Sequence, residues 1–174
     1  MMKLGETSAT LRFAAALFLR FGWALIVPTL FVALAAWLGL SYGSWTTLAI
    51  ALGILLHTAC GMLGSYVLHE CGHLAALRLC PGVTAISTEI RFRRVSLKPV
   101  GELSAREALF VAVAGPLGCA VLGAVLSIVL PQVGLGWWYL AHLIFLAPCF
   151  GDGRSAVVAL RRMGGRPNGA STAP

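Results

Sequence analysis

His69-Glu70-Cys71-Gly72-His73 sets two imidazoles four residues apart with a carboxylate between them. On a helix both rings project from nearly the same angle, and Glu70 lies roughly 60 to 100° away at about 100° per residue. Neutral imidazole nitrogens suit Zn²⁺, which in a catalytic centre takes three protein ligands and keeps a fourth position for water. On that reading His69 and His73 are metal ligands, and Glu70 is the general base and not a ligand. HExxH is a short pattern, and a chance match is the alternative. The flanks argue against chance. Apolar stretches 59–68 and 74–79 enclose the motif, so three ionisable groups sit inside or at the edge of a membrane helix. An Asp at the centre of such a helix costs about 2.5 to 3.5 kcal/mol to insert, and intramembrane ionisable residues are functional by default.

The elements that position this motif follow from composition. Of 174 residues, 59% are hydrophobic and 11% charged, against roughly 25% charged in a soluble domain. The chain therefore reads as an all-α polytopic membrane protein. Its net charge of +7 is explained by basic juxtamembrane segments and needs no nucleic acid, for which no binding motif is present. Five cysteines, Cys60, Cys71, Cys80, Cys119 and Cys149, show no CxxC spacing and read as free thiols. Cys71 and Cys149 lie close in sequence to candidate ligands.

In chain order, the first span is expected at 21–40, with Pro28 as a possible kink. The second runs over 46–79, through the HExxH motif, and is stopped by Cys80-Pro81-Gly82; it is long enough that its last turns leave the hydrocarbon or tilt. Residues 83–100 form surface strands. Thr84, Ile86, Thr88, Ile90 and Phe92 alternate with Ala85, Ser87, Glu89, Arg91 and Arg93, a period-2 pattern with one half-apolar face, and Val95 and Leu97 begin a second strand before Pro99. A solvated basic loop is the alternative for this segment. Ser104 and Glu107 form a capping box that starts a third span over 108–130. The fourth covers 137–160 with a break at 151–153, where Trp137-Trp138-Tyr139 is an interfacial belt. Residues 1–163 then make one membrane domain, and 164–174 a flexible tail.

All 13 Lys and Arg residues fall in the N-terminus, the stretch from Arg78 at the end of span two to Arg106, or the segment from Arg154 onward. The positive-inside rule puts both termini and the strands in the cytoplasm. A third metal ligand is then sought at the depth of His69 and His73, and Asp152 qualifies, in a Gly-flanked break of span four. Its alternative is a helix N-cap. His57 is about 18 Å from His69 along a continuous helix and His142 about 15 Å from Asp152, so both read as packing or cleft residues. Met62, Ser65 and Tyr66 share the metal face one to two turns above His69, and Tyr66 is placed to donate to an oxyanion; packing between helices is the other reading.

These residues carry a resemblance. His69-Glu70-Cys71-Gly72-His73 resembles the HExGH motif of the site-2 protease family of intramembrane zinc metalloproteases. Ala114-Gly115-Pro116-Leu117 resembles that family's AGPL signature, and Pro148 through Asp152-Gly153 its NxxPxxxLDG signature. Ile144 stands where that last motif has Asn, Gly151 replaces Leu, and Pro148 is one residue closer to Asp152. The resemblance covers roughly residues 56–163. It implies a three-helix core plus one extra N-terminal helix, four transmembrane helices in all, with a small membrane-surface β hairpin between helices two and three. It further implies Zn²⁺ held by His69, His73 and Asp152, with Glu70 as base. The substrate would be a membrane-spanning or membrane-inserted protein, unwound and received by edge pairing along Ile86, Thr88, Ile90 and Phe92. The expected setting is a bacterial cytoplasmic membrane, with the active-site entrance on the cytoplasmic side and regulation through a membrane partner or substrate delivery. A non-proteolytic binding or maturation partner on the same scaffold is the alternative. A metal transporter would need ionisable residues through the bilayer depth, where only His57 and His142 are available.

Overall fold

The computed structural model describes residues 7–90 and 95–165. Three helices are long and apolar enough to cross a membrane: Thr10–Tyr42, Trp45–Arg78 and Ala105–Val129, of 33, 34 and 25 residues. A fourth apolar element is a pair, Gly136–Leu146 and Gly151–Gly164, bent by 44°.

The first helix starts earlier than the hydropathy of 21–40 implies. It comprises α1 (Thr7–Phe21), a 3₁₀ turn (Gly22–Leu25) and α2 (Ile26–Tyr42). Pro28 lies in the first turn of α2. Its missing N–H and its ring act on the carbonyl four residues back, Ala24, so the distortion falls in the 3₁₀ turn and not at the proline. Gly43, in the left-handed region at φ 72°, closes α2.

The second helix is α3 (Trp45–Leu56), a π-helical stretch (His57–Leu63) and α4 (Gly64–Arg78). A π turn displaces carbonyls from their usual partners. Tyr139 Oη meets this need by donating to the Cys60 carbonyl at 2.7 Å, and Trp138 Nε1 donates to His57 Nδ1 at 3.0 Å. Tyr139 is thus a buried tie between helices, not part of an interfacial belt.

The hairpin pairs β1 (Val83–Ile90) with β2 (Val95–Gly101), antiparallel, with Ile86 opposite Pro99 and Thr88 opposite Leu97. β2 continues through Pro99, which an edge strand tolerates. An irregularity between Val83 and Ala85 breaks the expected alternation: Thr84 turns outward while Val83, Ala85 and Ile86 are all buried. Phe92 and its neighbours 91–94 lie outside the described residues.

α5 (Ala105–Val129) opens with the expected capping box, Ser104 N donating to Glu107 Oε2 at 2.8 Å and Glu107 N to Ser104 Oγ at 3.3 Å. It runs unbroken past Pro116. α6 (Gly136–Leu140) continues as a 3₁₀ segment, Ala141–Leu146, and the chain then breaks before α7 (Gly151–Gly164). The break lies at Ala147 to Phe150, upstream of the expected 151–153. Its cause is Pro148, which forces Ala147 into an extended conformation, ψ 141°. Of the expected tail, Gly164 ends α7 and residues 166–174 lie outside the described residues.

α4 packs along α5, and α5 in turn along α6 and α7. Beside them, Phe13 and Leu17 of α1 meet Leu74 and Leu77 of α4 and Val83 and Ile86 of β1 in one buried cluster. That cluster ties the hairpin and the first helix to the motif-bearing end of α4, and Arg78 adds a hydrogen bond to Thr10.

Candidate metal centre

α4 presents His69 and His73 one turn apart, as their spacing requires, and both are buried. Their Nε2 atoms lie 3.1 Å from each other. Asp152, in the first turn of α7, completes a triangle: its Oδ2 is 3.0 Å from His69 Nε2 and 3.5 Å from His73 Nε2. Phe150 occupies the N-cap of α7, and Asp152 is therefore not a cap.

The donor set fits a metal. His73 Nδ1 is 2.7 Å from the Val111 carbonyl, which only accepts, so Nδ1 carries a proton, and in the neutral ring that ligates a metal Nε2 is the lone pair. A carboxylate oxygen and another imidazole nitrogen face that lone pair. A tetrahedral Zn²⁺ with 2.0 to 2.1 Å bonds spaces its ligand atoms about 3.3 Å apart, and the three observed edges, 3.0, 3.1 and 3.5 Å, bracket that value.

Two glycines let α4 and α5 approach closely enough for this. A Cβ on Gly72 would stand 2.9 Å from Gly115 Cα, and one on Gly115 would stand 2.6 Å from His73 Nε2 and 2.8 Å from the His69 carbonyl. Gly153 plays the same part in α7, where a Cβ would strike the carbonyls of Leu146 and Ala147. Each signature thus has a steric reason. Gly115→Ala is expected to shift His73 by more than the ~0.5 Å such sites tolerate, lowering the affinity of these three donors for a metal ion about tenfold or more with helix content intact. Gly118→Ala, where a Cβ meets nothing within 4 Å, is the control. Zinc titration of both variants, followed by circular dichroism, checks this.

Glu70 lines a cavity of about 810 Å³ together with both histidines, Asp152 and Tyr66. Tyr66 packs edge-on against Phe21, with ring centroids 5.2 Å apart. The sheet's contribution differs from the expected one. Leu97 and Pro99 of β2 line the cavity, whereas Ile86 of β1 is 1% exposed and belongs to the core. The backbones of Thr88 and Ile90 pair with Leu97 and Val95.

His142 is the residue that sequence reasoning placed wrongly. Separating it from Asp152 by about 15 Å assumed a continuous helix, and the Pro148 break removes that assumption. His142 Nδ1 lies 3.0 Å from His69 Nδ1. Ile144, at the position of the motif's Asn, is 60% exposed, and Phe145 packs against His69 instead, with centroids 5.3 Å apart and ring planes tilted by 58°. His57 lies away from the centre, hydrogen-bonded to Trp138. All five cysteines are free thiols. Cys119, not Cys71 or Cys149, lies near the histidines, in a second group of ligand atoms with His69 and His142.

Comparisons of this chain with protein families, curated proteins and solved structures give no match.

Proposed function

We propose that this protein is an intramembrane zinc endopeptidase of the site-2 protease type. The observation that carries the reading is the convergence of His69 Nε2, His73 Nε2 and Asp152 Oδ2 beside Glu70, in a cavity at the end of an apolar helix. His69, His73 and Asp152 would hold the ion. Zn²⁺ bound there supplies a Lewis acid that acidifies a water and polarises a peptide carbonyl. Glu70 takes the proton of the attacking water and delivers it to the leaving nitrogen. Tyr66, on the same wall, is available to a developing oxyanion.

Membrane-embedded substrates bury their carbonyls in helical hydrogen bonds, so cleavage requires local unwinding. An extended segment lying along β2, beside Leu97 and Pro99, would add to the side of the sheet that carries no third strand among the described residues. Pro99 has no N–H, so pairing there would use its carbonyl alone. With the bent pair α6–α7 counted as one crossing, the chain would have four spans. On the positive-inside rule both termini and the cavity mouth would then face the cytoplasm, where a partner would regulate access; the membrane we propose is bacterial.

A non-proteolytic binding or maturation role on this scaffold is favoured by Ile144 in place of Asn. Glu70 facing the cavity opposes it, since a structural metal site has no need of a base. The test is metal analysis of the purified protein with chelation. One zinc per chain is expected, with cleavage of a membrane-inserted substrate lost on chelation and restored by zinc. A wild type that binds no zinc would sink the reading.

A further inference from the structure

We infer that His142 and Ser65 are positioning residues that fix which nitrogen of His69 carries its proton, and so keep its Nε2 lone pair directed at the metal. This rests on His69, His73 and Asp152 being the zinc centre proposed above.

The two histidine ligands are oriented by different means. His73 Nδ1–H donates to the Val111 carbonyl, an acceptor that cannot reverse. The Nδ1 of His69 instead faces Nδ1 of His142 at 3.0 Å, and an imidazole either donates or accepts according to its tautomer. What decides the direction lies one and two links further on. His142 Nε2 is 3.1 Å from Ser65 Oγ, and Ser65 Oγ donates to the Met62 carbonyl at 3.1 Å. The hydroxyl has one proton. Having given it to Met62, it accepts from His142 Nε2–H. A neutral His142 protonated at Nε2 has a bare Nδ1, which accepts from His69 Nδ1–H. His69 Nε2 is then left bare, facing Asp152 Oδ2 and His73 Nε2 at 3.0 and 3.1 Å.

The opposite polarity would require Ser65 to leave the Met62 carbonyl and would place a proton on His69 Nε2, where it blocks ligation. Solvent does not offset the loss of any link, because Ser65, His69 and His142 are 1%, 5% and 7% exposed. Metal-bound histidines ordinarily donate their second N–H to a carboxylate, carbonyl or water, and removing such a partner costs about 10- to 100-fold in metal affinity. Here an imidazole has that role, and it holds one direction because its chain ends on a carbonyl. Cys119 offers a competing arrangement, its sulfur within 4.8 Å of ligand nitrogens of His69 and His142. Its thiol donates to the Ser65 carbonyl at 3.3 Å, and a second metal there would compete with the hydrogen-bond chain for His69 and His142.

The experiment is zinc affinity of the full-length protein in detergent, by competition with a chromophoric chelator, with thermal unfolding of each metal-free form alongside. His142→Phe is expected to weaken zinc about 10- to 100-fold. His142→Asn, whose carboxamide oxygen accepts from His69 Nδ1–H, is expected to recover most of that loss, a rescue that a merely space-filling role would not give. Ser65→Ala is expected to fall between them, and it carries the comparison should His142→Phe fail to fold. Affinities for His142→Phe and Ser65→Ala within about twofold of wild type would overturn the inference and leave the zinc centre standing. Two zinc ions per wild-type chain, one of them lost in Cys119→Ser, would also overturn it. A wild type without zinc overturns both readings.

Discussion

Glu70→Gln is expected to keep one zinc per chain at wild-type affinity while cleavage falls by roughly 10²- to 10⁴-fold, the range over which a positioned general base contributes. At the middle of that range the loss is about 4 kcal/mol of transition-state stabilisation. The reasoning is geometric before it is chemical. Glu70 lines the cavity beside the triangle of His69, His73 and Asp152 without being one of its corners, so an isosteric amide leaves the ligand set intact and removes only the group that accepts a proton. Metal content and cleavage must therefore separate in this variant. Comparing membrane peptidomes of cells making wild type and Glu70→Gln reads the same effect without a known substrate: a full-length membrane protein accumulates and its fragments disappear. Loss of zinc together with activity would instead make Glu70 a ligand, and undiminished cleavage would remove it from the chemistry.

What could be read from the sequence follows the range of the interactions involved. The 3.6-residue period places His69 over His73, and the capping box at Ser104 and Glu107 starts α5; both are settled within a few residues of chain. Asp152 was within reach because depth in a membrane is a one-dimensional coordinate that sequence position tracks. His142 was not, since its place depends on Pro148 breaking the helix just upstream of Asp152, whereas the two flanking glycines drew attention to the wrong residues. Gly153 serves packing, against the carbonyls of Leu146 and Ala147, while a Cβ on Gly151 would meet nothing within 4 Å. The hairpin's seat was not legible locally. The resemblance implies edge pairing of substrate along the strand that holds Ile86, but the irregularity beside Thr84 and the buried cluster with Phe13 and Leu17 set Ile86 in the core and leave β2 at the cavity. The tie from Tyr139 to the Cys60 carbonyl answers a π-helical turn that no local pattern announces.

Asp152 carries the other large effect, and its two substitutions are expected to part company when metal is absent. Both Asp152→Ala and Asp152→Asn should lose more zinc affinity than the ~10- to 100-fold that outer-shell partners carry, because each removes the only anionic ligand of the triangle. In the metal-free protein the carboxylate faces two imidazole nitrogens at 3.0 and 3.5 Å, and a proton held by either ring nitrogen makes that contact a charge-assisted hydrogen bond. A carboxamide can still accept or donate at the same atoms but carries no charge, and Ala offers neither. Metal-free Asp152→Asn should thus unfold no higher than the metal-free wild type, and Asp152→Ala lower than Asp152→Asn. Zinc then widens the gap: at about 1,000 times its dissociation constant it adds about 4 kcal/mol to the wild type and little to either variant. Thermal unfolding in detergent, with and without zinc, reads all of these differences. A zinc-dependent rise in Asp152→Asn equal to that of wild type would place the third ligand elsewhere.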